Sequence, residues 1–151
     1  MMGFKVILTL VGVLVTQFVF ADGSLERGQK LYEANCVACH GATGGMDMSK
    51  RLAPPIIAVK MHYKKKLKDK ESFVAAVSAW VVNPNKDKSL MKGAIRKFNL
   101  MPPLALPTED IEQIAKYMYE GKLERPEGFD EHMKKMHGGK GKKGGCGGKK
   151  H

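Results

Sequence analysis

The sequence reads as an all-α protein of about four to five helices, on three observations. Apolar residues recur at helical spacing in separate stretches, Leu25–Tyr32, Phe73–Val81 and Ile111–Met118. Each stretch follows a residue suited to capping a helix, namely Ser24, Asp69 and Thr108. The segments between them are rich in proline and glycine, which interrupt helices. A length of 151 residues argues for one domain.

Taken in order, Met1 to Ala21 has Lys5 ahead of an apolar run from Val6 to Val15. Val19-Phe20-Ala21 supplies the small residue expected at a cleavage point. Residues 1–21 are therefore expected to be a signal peptide that exports the chain to the periplasm. The alternative is an uncleaved anchor, although Phe4 to Ala21 barely reaches the ~20 residues of a bilayer span.

Ser24 is expected to open a helix with Leu25, Gly28, Leu31 and Tyr32 on one side. Glycine inside a helix is destabilising relative to alanine unless another backbone comes close, so Gly28 marks a candidate helix crossing. This helix delivers Cys36-Val37-Ala38-Cys39-His40. The pattern C-x-x-C-H is a c-type haem attachment signature. Two thiols one turn apart can add to the vinyl groups on one side of a porphyrin, and the adjoining imidazole can take an axial position on iron. A structural zinc site would need four ligands. No second C-x-x-C exists, and Cys146 lies in a Gly/Lys tail.

Gly41 to Ser49 reads as a glycine-rich loop, followed by Leu52-Ala53-Pro54-Pro55-Ile56-Ile57. A carbonyl at or near Pro54 could accept the second ring N–H of His40 and orient the imidazole. Met61-His62-Tyr63 and the run Lys64 to Lys70 read as an insert with a solvated, basic face. Asp69 then caps a helix whose Trp80 is a core residue or a donor to a haem propionate. Leu90 to Phe98 forms a short helix, and Asn99 to Leu104 is extended because of Pro102 and Pro103. Thr108 caps the last helix, with Glu109 and Asp110 at the positive end of its dipole, and Gly121 stops it. The foldable domain is expected to cover residues 22–128. Residues 129–151 are expected to be a disordered Lys/Gly/His-rich tail.

The second axial position has six candidate ligands: Met46, Met48, Met61, His62, Met91 and Met101. Met101 has the strongest case, because a rigid proline segment can lie against a flat ring without helical backbone in the way. The C-x-x-C-H motif, the downstream proline pair, Met101-Pro102 and the terminal amphipathic helix resemble a class I monohaem c-type cytochrome. The resemblance covers roughly Asp22 to Gly121. It implies a cytochrome c fold wrapped around one haem c, held by thioethers to Cys36 and Cys39. His40 and Met101 would be the axial iron ligands, and Gly28 and Tyr32 would meet Ile114 and Tyr117 of the last helix. The Met61–Lys70 insert and the basic tail depart from the family's pattern.

Two protein ligands on one iron would leave no place for a substrate, so the expected function is electron transfer rather than catalysis. The rivals are a haem subunit of a larger periplasmic oxidoreductase, and a haem enzyme or gas sensor with a displaceable sixth ligand. The net charge of +11 is concentrated in the tail, where His132 to His151 holds seven lysines and no acid. That distribution weakens a nucleic-acid reading. Lys64, Lys65, Lys66, Lys86, Lys88, Lys92 and Lys97 serve either solubility or the steering of acidic redox proteins. The tail is read as a tether to an anionic membrane surface or an acidic partner. Its alternative role is copper, nickel or zinc binding through His132, Met133, Met136, His137, Cys146 and His151.

Overall fold

A computed structural model describes residues 21–137. The signal-peptide reading of residues 1–21 lies outside the described residues apart from Ala21, and so do Cys146 and His151. Among the described residues seven helices follow one another: α1 (Ala21–Asn35), α2 (Val37–His40), α3 (Ile56–Lys66), α4 (Lys70–Val82), α5 (Lys92–Phe98), α6 (Thr108–Glu120) and α7 (Phe129–His137). No strand occurs among the described residues, so the class is all-α.

The core is organised by α1 crossing α6. Gly28 is where the two backbones meet: a Cβ built there would lie 2.3 Å from the Gln113 carbonyl oxygen and 2.9 Å from Tyr117 Cβ. One turn later the rings of Tyr32 and Tyr117 pack with centroids 5.7 Å apart. Helix α4 covers the other side of α6 through Phe73, which is fully buried. Its ring sits edge-on between Tyr63 at 5.9 Å and Tyr119 at 5.2 Å. The broad apolar stripe expected of α6 is present, with Ile111, Ile114, Ala115, Tyr117 and Met118 all buried.

Asp69 caps α4 as expected, its carboxylate accepting from the Ser72 N–H at 2.7 Å. Asp69→Ala should lower the unfolding free energy by about 1 kcal/mol in denaturant titration, the usual value of such a cap. An unchanged midpoint would mean that water replaces the carboxylate at no loss.

Several details differ from the sequence expectation. Helix α1 starts at Ala21, so Ser24 lies inside it rather than at its cap. The cap position of α6 is Pro107, with Thr108 as the first helical residue. Seven helices replace the expected four to five, chiefly through α2, α3 and α7. Helix α3 runs from Ile56 into the Met61–Lys70 stretch read as an insert with a solvated, basic face and ends at Lys66. Pro55 stands just ahead of its first turn, where its missing N–H breaks no helical bond. Lys64, Lys65 and Lys66 fill its last turn, where cations complement the dipole. The tail does not begin as disordered chain at residue 129: Phe129 is 2% exposed and starts α7, with Met133 packed on the core. Composition alone hid this, because two apolar anchors suffice to dock a short helix.

Candidate haem site

The motif takes its shape from short-range hydrogen bonds at the end of α1. The Cys36 N–H donates to the Tyr32 carbonyl at 2.8 Å, closing that helix. The Cys36 carbonyl then accepts from the Cys39 N–H at 3.2 Å and the His40 N–H at 2.8 Å. The two cysteines are thus carried on one turn. Burial pushes the Cys36 thiol up to about 11, with the neighbouring Cys39 adding to it.

His40 is oriented by a distant piece of backbone. Its Nδ1 lies 2.8 Å from the Pro54 carbonyl oxygen. A carbonyl can only accept, so Nδ1 carries the hydrogen and Nε2 keeps its lone pair, the form that ligates a metal. Burial lowers the histidine's pKa; the Pro54 bond opposes this and the Arg51 charge reinforces it.

Cys36, Cys39, His40 and Met101 all line one crevice of about 210 Å³. Its remaining wall is almost entirely apolar, drawn from α3, α4, α5 and α6 through side chains such as Val59, Val77, Ile95 and Met118. No Asp, Glu, Lys or Arg contributes to it. A flat, mostly apolar macrocycle suits such a wall, with a few polar groups to orient it. Asn35, Tyr63, Trp80, Ser89 and Asn99 are the polar-capable side chains along it besides His40. Trp80 is a half-buried part of this wall rather than a core residue. The residues present therefore fit haem. Among the described residues, no three His, Cys, Asp or Glu side chains converge as donors for a bare metal ion.

The candidates for the second axial ligand separate clearly. Met101 and Met91 line the crevice. Met61 and His62 are exposed on α3, and Met61 borders a different groove beside Lys60 and Lys65. Met46 packs on the core near Gly128 instead. Two restraints hold the segment carrying Met101. The Leu104 N–H donates to the Val81 carbonyl at 3.0 Å, tying it to α4. At its start Asn99 ends α5 with φ +66° and ψ −176°, a conformation that favours glycine. A non-glycine residue held there costs about 1–3 kcal/mol, and the Asn99 N–H, donating to the Ile95 carbonyl at 2.9 Å, fixes the turn.

The sequence reading missed Arg51. Its guanidinium is buried and bonded to the carbonyls of Gly41, Thr43, Gly45 and Ala53. A lone arginine in a glycine-rich loop is no signal in itself, because its partners are backbone carbonyls that any sequence supplies.

A helical shell around an apolar crevice, with C-x-x-C-H at its edge, defines a c-type cytochrome domain. Residues 23–118 match the family model described as "Cytochrome C oxidase, cbb3-type, subunit III", and the chain belongs to that family. A curated relative from Aquifex aeolicus (strain VF5), described as an uncharacterized protein, is 27% identical over 150 residues. That alignment covers 89% of this chain and 96% of the relative. No solved structure matches the chain. Among the described residues, no helix is long and apolar enough to cross a membrane.

Proposed function

We propose that this chain is a periplasmic electron carrier with a single haem c, joined to Cys36 and Cys39 and ligated by His40 and Met101. One observation carries the reading: these four residues, from opposite ends of the domain's sequence, face one apolar crevice. When bound, haem supplies a one-electron ferric/ferrous couple. The protein's part is to hold and insulate that couple. Pro54 fixes the His40 tautomer, so the Nε2 lone pair stays directed to one position. The proline segment keeps the Met101 thioether at the crevice wall, and the apolar lining excludes water. Ligands that stay in place let an electron pass with little rearrangement.

The N-terminal segment and the haem motif together support export, and the basic side chains support acidic redox partners. The structure also divides the candidate lysines. None borders the crevice, whereas Lys64 and Lys65 line the separate groove with Lys60 and Lys122.

The test is an optical spectrum of purified protein in both oxidation states. The expected result is a covalent haem that survives acid–acetone extraction, is low-spin when ferric, and shows a sulfur-to-iron charge-transfer band at the red end. Colourless protein would end the reading; a high-spin ferric spectrum would replace the carrier with an enzyme or gas sensor. The family's description as an oxidase subunit favours a second reading, a haem subunit of a larger oxidoreductase. Co-purification at low salt separates that reading from a free shuttle.

A further inference from the structure

Arg51 and Ser89 are the buried polar side chains among the described residues, and of the two only Arg51 is charged. It is 9% exposed. Its guanidinium donates to the Gly41 carbonyl, to Thr43 at 2.9 Å and to Gly45 at 3.1 Å, and its Nε donates to Ala53 at 3.3 Å. All four partners are neutral, and no carboxylate among the described residues pairs with it. Buried charges are ordinarily paired, so this one is exceptional.

Its partners explain why it is there. Gly41 directly follows His40, and Ala53 directly precedes Pro54. The guanidinium therefore clips together the two pieces of backbone whose approach makes the 2.8 Å bond between His40 and Pro54. A cation satisfied only by carbonyls also keeps its field, because none of its hydrogen-bond partners carries an opposite charge and burial limits screening by water. The ferric site carries one positive charge more than the ferrous site, so a nearby buried cation disfavours oxidation.

We propose that Arg51 is the positioning residue that sets the site's redox poise: it clamps the loop that orients His40, and its unpaired buried charge favours the reduced iron. The proposal rests on the haem reading above. It adds that part of the potential comes from a residue that does not line the crevice.

The experiment is a potentiometric titration of the holoprotein, with small-molecule mediators supplying and accepting the single electron. Wild type is compared with Arg51→Gln and Arg51→Lys, each first checked for haem content and a wild-type ferric spectrum. Arg51→Gln should lower the reduced-to-oxidised ratio at a fixed ambient potential by about tenfold, while Arg51→Lys stays within about threefold of wild type at neutral pH. An unchanged ratio in the glutamine variant overturns the proposal, and so does an equal fall in the lysine variant.

If Arg51→Gln does not retain haem, the Arg51→Lys titration is repeated at rising pH. A desolvated ammonium gives up its proton below the usual lysine range. The variant's ratio should then fall about tenfold relative to wild type, which keeps its guanidinium charged. Two groups are coupled electrostatically to Arg51, Tyr32 on α1 and His40. Burial raises the Tyr32 pKa far above its ordinary value, and iron-ligated His40 would not titrate in this range. Parallel pH curves for the two proteins would overturn the proposal. A failed haem reading shows itself differently, as no chromophore in any of the three.

Discussion

Gly28→Ala should destabilise the domain by about 3 kcal/mol, the upper end of the usual range for overpacking. The added methyl would sit 2.3 Å from the Gln113 carbonyl oxygen and 3.0 Å from its carbonyl carbon. Those atoms are backbone inside α6, so no rotamer change can clear them. The two helices must separate, and the separation spreads to the Tyr32–Tyr117 ring contact one turn away. Alanine's better helix propensity returns only about 1 kcal/mol, too little to reverse the sign. Gly93→Ala in α5 is the matched control, because its nearest neighbour beyond the local backbone is the Arg96 guanidinium at 3.9 Å. That substitution should be neutral or stabilise by up to about 1 kcal/mol. Denaturant unfolding of both holoproteins decides the matter. Equal midpoints would show that the α1–α6 crossing is looser than the distances imply.

Met101→Ala should abolish the sulfur-to-iron charge-transfer band and convert the ferric spectrum to high-spin. Added imidazole should then bind readily. The potential should fall as well, since thioether ligation raises it. Met91→Ala is the informative companion, because Met91 lines the same crevice. It should keep the band and lose only packing, about 1–2 kcal/mol for a half-buried methionine. The choice between the two sulfurs rests on backbone. Met101 lies in an extended segment pinned at Leu104 and Asn99, whereas Met91 is the cap residue of α5. If the band vanished in Met91→Ala and survived in Met101→Ala, the ligand assignment would be reversed.

Much of the site was legible in the sequence because its pieces are short-range. The C-x-x-C-H turn closes through bonds between residues three and four apart, and Asp69 caps a helix from three residues away. Such features depend on local sterics and hydrogen bonding, which neighbouring residues determine. Gly28 was legible for a related reason. A glycine inside a helical pattern calls for a close neighbour, and α6 was the long amphipathic helix left to provide one.

What the sequence could not supply depended on which surfaces meet. Met61 and His62 stood next after Met101 as candidate ligands, and only the burial of Ile56, Ile57 and Tyr63 turns them to the outside of α3. Phe129 could announce neither the pocket it fills nor the helix it starts. Arg51 bonds backbone carbonyls, groups that every residue carries, so no pattern of residue types marks its place. The sequence by itself determined the C-x-x-C-H turn, the helical class and the glycine crossing, because each follows from a few adjacent residues. Tertiary structure alone decided which methionines reach the crevice and where a buried cation sits, because those depend on packing between segments far apart in the chain.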